Sequence, residues 1–190
     1  MDIIQEKKQL RQKLRQAMAG LAAEYRAEAD SQILAQILGL PEYIRARVLF
    51  CYVGVGSEID TRPVLQDALQ RGKRICVPKC VARGVMEARE IRSLDELFPA
   101  KFGLLEPAEQ APCILPQTID FGLIPCLSCT PEGIRLGYGG GYYDRYLAKS
   151  HFPAAVLCRE MLLSRRLSQE AFDQQVPIII SERMVRRIEK

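Results

Sequence analysis

The run Arg135-Leu-Gly-Tyr-Gly-Gly-Gly-Tyr-Tyr-Asp-Arg145 concentrates the residue types that could do chemistry in this chain. Gly137, Gly139, Gly140 and Gly141 let the backbone approach a ligand closely and turn N–H groups toward an anion. Tyr142 and Tyr143 then open what reads as a helix, whose N-terminus favours negative charge. Arg135 and Arg145 supply fixed positive charge, and Asp144 can hold a magnesium ion beside phosphates. The chemistry expected is phosphate binding, by backbone as much as by side chains. The spacing fits neither G-x-x-x-x-G-K-S/T nor G-x-G-x-x-G, so this is no standard P-loop or dinucleotide fingerprint. A glycine-rich turn serving chain geometry alone is the plainer alternative; the flanking arginines, Tyr-Tyr and Asp144 weigh against it.

A second candidate is Cys126-Leu-Ser-Cys129, a C-x-x-C pair. A redox or zinc site would want a helix N-terminus or further ligands. Neither the nearest other pair, Cys76 and Cys80, nor the single histidine, His151, completes a convincing four-ligand set. A metal or redox role for the pair is not favoured.

These residues need elements to position them. Asp120-Phe-Gly-Leu-Ile-Pro125 has the short apolar character of a buried strand, closed by a proline that cannot continue the ladder. It leads into the glycine run and the helix after it. An amphipathic helix is expected from about Asp2 to Ala19, with Ile3, Leu10 and Leu14 among its apolar positions and basic residues between them. A second runs from about Glu24 to Leu38 and is closed by Gly39 and Pro41. Arg47 to Val53 reads as a buried strand. Thr61 is expected to cap a helix with Pro63 in its first turn, running to Gly72. Strands follow at Arg74–Pro78 and Val85–Ile91, and a capping box, Ser93-Leu-Asp-Glu96, opens a short helix. Phe98 to Gln117 is rich in proline and expected to be irregular. Ala154–Cys158 and Ile178–Ser181 are strand-like. Strands alternating with helices imply the α/β class, with a mostly parallel sheet covered on both faces.

Composition bounds the partners. A chain of 190 residues, 48% of them hydrophobic, suits one domain with a sizeable core. Lys and Arg number 27 against 23 acidic residues, and the net +4 suits anionic small molecules. It is too weak and scattered to argue for nucleic acid, and no aromatic–basic surface motif is present. No apolar run approaches the roughly 20 residues of a membrane span, and the first residues are charged, so no membrane anchor or signal peptide is expected. Seven cysteines without small-domain disulfide spacing point to a reducing cytoplasm.

The glycine run resembles the R-L-G-x-G-x-G-Y-Y-D-R signature of the 5-formyltetrahydrofolate cyclo-ligase family, also called 5,10-methenyltetrahydrofolate synthetases. Further blocks are similar and stand in the family's order: Lys7-Lys-Gln-Leu-Arg11, Glu58-Ile-Asp-Thr61, Val77-Pro78 and Phe102-Gly-Leu-Leu-Glu-Pro107. The resemblance spans nearly the whole chain. It implies a single three-layer α/β/α domain over residues 1–190. It also implies a reaction in which ATP and 5-formyltetrahydrofolate, with Mg2+, give 5,10-methenyltetrahydrofolate, ADP and phosphate. Phosphorylation of the formyl oxygen and attack by N10 would carry it, which calls for positioning and charge stabilisation more than for a nucleophile on the enzyme.

By the same resemblance, Lys7, Lys8, Gln9, Leu10 and Arg11 meet the nucleotide phosphates, with Lys7 and Arg11 on one helix face. Arg135, Leu136, Gly137, Tyr138, Gly139, Gly140, Gly141, Tyr142 and Tyr143 form the ATP-binding loop. Tyr138 through Tyr142 also lie near the folate. Glu58 falls on the folate-contacting glutamate, which can accept hydrogen bonds from pterin N–H groups. Val53 falls on a folate-lining position and could equally be plain core. Arg135 and Asp144 are the implied catalytic pair, Asp144 as the metal ligand. A solvated basic face for Lys7 and Arg11, and charge complementation at a helix start for Asp144, are the bland alternatives.

The chain departs from the family's pattern in places. Some relatives carry a lysine where Gly140 stands, and Ala17 and Ala19 thin the basic positions of the first helix. Cys129 and Thr130 replace an aromatic–acidic pair beside the loop. In Phe172-Asp-Gln-Gln-Val-Pro177, the proline occupies a metal-binding aspartate's position, leaving Asp173 or Glu182 to compensate. A diverged relative that binds nucleotide or folate without turnover therefore stands as one alternative, and another ATP- or phosphosugar-using enzyme on this scaffold as a second. Joint retention of Arg135, Asp144 and Glu58 argues against the first, and Glu58-Ile-Asp-Thr61 against the second.

Overall fold

Period-two alternation of apolar residues sets the architecture. In the strand Val48–Cys51, Val48 and Phe50 pack into one buried cluster while Leu49 and Cys51 pack into another. Ala154–Leu157 divides the same way: Ala154 and Val156 on one side, Ala155 and Leu157 on the other. Strands apolar on both faces must be covered on both faces, and helices do the covering.

The computed structural model describes residues 2–188, so Met1, Glu189 and Lys190 lie outside the described residues of the expected 1–190 domain. The helices are α1 (Ile3–Ala19), α2 (Ala23–Leu38), α3 (Pro41–Arg45), α4 (Arg62–Gln70) and α5 (Tyr142–Leu147). The strands are β1 (Val48–Cys51), β2 (Arg74–Ala82), β3 (Val85–Ile91), β4 (Leu97–Pro99), β5 (Leu105–Pro107) and β6 (Cys113–Ile114). They continue with β7 (Phe121–Ile124), β8 (Ser128–Cys129), β9 (Arg135–Leu136), β10 (Ala154–Leu157), β11 (Ile178–Ile180) and β12 (Val185–Arg187). Eight strands form one sheet in the order β12-β11-β10-β7-β1-β2-β3-β6, while β4–β5 and β8–β9 are separate pairs. The centre, from β11 to β2, is parallel; β12, β3 and β6 pair antiparallel at the edges. The expected mostly parallel α/β sheet is present.

One face is covered by α2, α3 and α4, through Ile33, Ile37, Tyr43, Val64 and Leu65. The other carries Met18 of α1 and Tyr146 of α5, the latter stacked on Phe50 with ring centroids 5.3 Å apart. Ile33 is fully buried, so truncation to alanine would cost about 2–5 kcal/mol. The chain leaves β1 toward β2 on one side of the sheet and leaves β7 toward β10 on the other. The β1/β7 boundary is therefore a topological switch point, where the loops after the two strands part and leave a crevice.

Several local expectations are corrected. Thr61 stands before α4 without capping it: its hydroxyl accepts from Gly54 N–H (3.0 Å) and donates to the Tyr52 carbonyl (2.7 Å), tying the helix start back to β1. The β1 strand is shorter than Arg47–Val53. Strand β2 runs past Pro78 to Ala82, because its pairing with β1 ends at Cys76 and an edge position tolerates a missing N–H. Residues 98–117 contain the short strands β5 and β6 and part of β4, rather than being wholly irregular. The edge strand β12 had no expected counterpart.

Candidate active site

The loop after β7 opens with Pro125 and folds back as the β8–β9 pair, in which Cys129 stands opposite Arg135. That hairpin delivers Arg135 into the interior, 6% exposed. Its Nη2 donates to Asp144 Oδ1 at 2.8 Å and its Nη1 to the Pro125 carbonyl at 3.2 Å. The guanidinium lies over the Tyr143 ring, 5.6 Å from the centroid. A Cβ at position 137 would come 2.8 Å from Arg135 Nη1, so glycine there lets the backbone pass the arginine. Gly141 begins α5 with φ 66°, a left-handed conformation that glycine adopts without penalty. Because α5 has only six residues, its dipole contribution is small, and the loop N–H groups and nearby cations must dominate.

Helix α1 lies along this loop. Arg11 donates from Nε to the Gly137 carbonyl at 3.0 Å, and Arg15 from Nη2 to the Tyr138 carbonyl at 3.0 Å. Lys8, Arg11, Gln12, Arg15, Gln16 and Tyr138 line an open cleft of about 450 Å3. Burial lowers the Arg11 pKa, with Asp173 and Glu170 opposing. Arg15 was not among the expected site residues; its place four residues after Arg11 was the available signal. Gln9 and Leu10 do not line the cleft, and Leu136 is core.

Lys7, one turn before Arg11, does not line the cleft. It is buried and donates to Glu170 at 2.8 Å and to Asp173. The main-chain N–H of Gln174 points at Asp144 Oδ1 (3.4 Å), which brings the turn holding Asp173 beside Asp144. Glu182 is engaged elsewhere, accepting from the Tyr25 hydroxyl and from Glu160 N–H. Of the two carboxylates that could compensate for Pro177, Asp173 is therefore the one beside Asp144. Magnesium sites take one or two carboxylates together with substrate phosphates and waters, and these hard oxygens fit that demand. Arg145, expected as a phosphate-facing charge, donates to the Gly140 carbonyl at 2.9 Å and to that of Gly84 at 3.5 Å, bracing the loop against the β2–β3 turn.

Across the crevice, the loop after β1 carries Glu58, whose Oε2 accepts from Val55 N–H at 3.0 Å. Burial raises its pKa, with the nearby Tyr138 side chain and the Val55 N–H opposing that rise. Burial and the Glu58 charge together raise the pKa values of Tyr52, Tyr138 and Tyr143, so the carboxyl stands among three tyrosines. Tyr138 thus brings the glycine loop near Glu58, while its hydroxyl points at Met18 Sδ of α1 at 3.9 Å. Val53 packs within the core cluster, the blander of its two readings. A residue that sequence reasoning missed holds this loop: Arg159, 1% exposed, donates to the carbonyls of Ser57 (2.9 Å) and Glu58 (3.1 Å) and grips Asp30 of α2 through two bonds.

A sheet with a switch point, a glycine loop braced by arginines and a half-buried carboxyl opposite it define an open-sheet α/β protein with a crevice between β1 and β7. The chain belongs to the 5-formyltetrahydrofolate cyclo-ligase family, whose profile matches residues 3–182. It is 27% identical to the probable 5-formyltetrahydrofolate cyclo-ligase of Schizosaccharomyces pombe over 96% of this chain and 98% of that one. It is 32% identical to the 5-formyltetrahydrofolate cyclo-ligase of Mycolicibacterium smegmatis over 80% and 79% of the two chains. Its fold is similar to the NMR structure of Aquifex aeolicus 5,10-methenyltetrahydrofolate synthetase, with a TM-score of 0.85, 26% identity, and 97% and 93% of the chains covered.

Proposed function

We propose that this protein converts 5-formyltetrahydrofolate and ATP to 5,10-methenyltetrahydrofolate, ADP and phosphate. The observation that carries the reading is the convergence, at the switch point, of the glycine loop with its Tyr138 and the loop that carries Glu58, in a chain of this family. In this reading the triphosphate lies in the cleft between α1 and the loop, met by Lys8, Arg11 and Arg15 and by N–H groups of residues 137–141. Glu58 accepts hydrogen bonds from the pterin, and Tyr138 borders both ligands.

The N5-formyl group is an amide and a poor electrophile. Transfer of the γ-phosphoryl group to the formyl oxygen makes that oxygen a leaving group. N10 then attacks the formyl carbon and loses its proton, and the oxygen departs within phosphate. The enzyme's task is to align the two substrates and to stabilise charge on the phosphoryl oxygens. Arg135 holds Asp144 in place from below, and Lys7 holds Asp173 and Glu170 at the edge of the same site. Asp144, with Asp173 in the adjoining turn, would hold Mg2+, which would neutralise phosphate charge.

The protein acts as one cyclo-ligase domain on small molecules, with no nucleic-acid partner. Among the described residues no helix is long and apolar enough to cross a membrane. Seven free cysteines support a cytoplasmic setting. Substrate whose formyl oxygen carries a heavy isotope tests the chemistry: the label is expected in inorganic phosphate. Label released in water would rule out phosphorylation of that oxygen.

A further inference from the structure

Strands β7 and β10 are parallel neighbours, with Ile124 opposite Val156, so the segments that follow each emerge side by side at the C-terminal end of the sheet's parallel strands. Those segments carry Cys126 and Cys158. The turn after Cys126 folds β8 back over them and brings in Cys129. Among the described residues, these three are the only cysteine, histidine or acidic side chains that bring three ligand atoms within 4.8 Å of one another, and all three are buried. The C-x-x-C pair thus finds, from a strand almost thirty positions later in sequence, the ligand it lacks locally.

Packing of small apolar groups would explain buried cysteines, and Cys51 and Cys76 are buried without joining such a group. It does not explain the charge beside this one. Arg135 stands opposite Cys129 across the β8–β9 pair, and its Nε–H is buried without a hydrogen-bond partner. A cavity of about 10 Å3 borders Cys126 and Cys158 and is lined also by Met18 and Glu58. That is close to the smallest volume that holds one water.

We propose that Cys126, Cys129 and Cys158 form a three-thiolate site for a divalent cation of the zinc class, its fourth position facing the small cavity beside Glu58. Sulfur donors select a thiophilic ion over magnesium. Zinc–sulfur bonds of about 2.3 Å in a tetrahedral site put sulfurs roughly 3.8 Å apart, so the triad needs only a small contraction. The balance is Zn2+ + 3 RSH → Zn(SR)3− + 3 H+, and the resulting single negative charge is offset by the Arg135 guanidinium. The ion would sit directly beneath the β8–β9 hairpin that carries Arg135 and beside the loop that carries Glu58, distinct from the hard-oxygen site at Asp144.

The test uses the full chain with the two exposed cysteines replaced (Cys80→Ser, Cys113→Ser), reduced and freed of metal, then titrated anaerobically with Zn2+ or with Co2+ as a visible probe. One equivalent of Zn2+ is expected, with intense sulfur-to-cobalt absorption for Co2+ and a rise in Tm. Adding Cys129→Ser or Cys158→Ala, each checked for folding by circular dichroism, should weaken binding by more than the 10- to 100-fold typical of losing an outer partner of a ligand. Several outcomes would overturn the site: no zinc bound by the folded parent, binding by either variant as tight as the parent's, or a disulfide among the three cysteines in place of metal binding.

Discussion

Arg159 donates from Nη2 to the Glu58 carbonyl at 3.1 Å while the same guanidinium grips Asp30 through bonds of 2.8 and 2.9 Å. The carboxyl assigned to the pterin is thus mounted on a buried ion pair that links α2 to the end of β10. Removing one partner leaves an uncompensated charge, which costs about 3–5 kcal/mol. Arg159→Ala is expected to lose that much unfolding free energy in chemical denaturation. Arg159→Lys keeps the charge and loses the fork, so it should lose less stability and raise KM for the folate with little change in kcat. An unchanged KM would remove Arg159 from the positioning of Glu58.

Arg135 and Asp144 are expected to act as one unit. Arg135→Ala and Asp144→Ala should each lower kcat by about 100-fold or more, and the double variant by little more than either alone. Steady-state kinetics beside circular dichroism separates this from misfolding. Losses that multiply in the double variant would mean that the two residues work independently.

Glu58 links pH to stability. Burial raises its folded-state pKa, so the folded chain holds this proton more tightly than the unfolded chain does. The resulting stability is full below the unfolded pKa and is lost as pH rises through the folded value. Glu58→Gln should therefore weaken folate binding yet raise Tm near neutral pH, with the gain shrinking in acid. A variant less stable than the parent at neutral pH would contradict the burial argument.

Gly141 adopts φ 66°, and a Cβ there would lie 3.0 Å from Arg145 Nη1. The left-handed conformation costs an alanine about 1–2 kcal/mol. Gly141→Ala is expected to lower Tm by about 2–4 °C per kcal/mol and to lower kcat/KM for ATP disproportionately, as the loop gives way. Calorimetry and initial rates report the two effects.

Arg15 braces the loop at Tyr138 from the exposed side of the cleft. Losing one charge-assisted contact of about 1.5 kcal/mol corresponds to roughly a tenfold rise in KM for ATP in Arg15→Ala. That difference should shrink in high salt, which screens exposed charges.

The strand centres and the glycine run were legible because local pattern alone dictates them: alternation in β1 and β10, and a composition that only a close-approach loop needs. The edge strand β12 was not, since Val-Arg-Arg carries no apolar alternation and forms by pairing with β11. Thr61 was misread because its hydroxyl had a better partner in the main chain of the β1 loop than in its own helix. Lys7 meets carboxylates 163 and 166 residues away, and Cys158 joins Cys126 only where β7 and β10 lie together. Such long-range meetings depend on strand order, which local pattern does not encode. Arg159 was missed for the same reason, as its partners come from α2 and the loop after β1.

The most direct measurement is turnover by the purified protein with 5-formyltetrahydrofolate, ATP and Mg2+, following the methenyl product by absorbance and ADP in parallel. The account predicts product that requires both ATP and Mg2+, with one ADP released per product formed, and its loss in Asp144→Ala. Folded protein that binds both substrates and forms no methenyl product would contradict it.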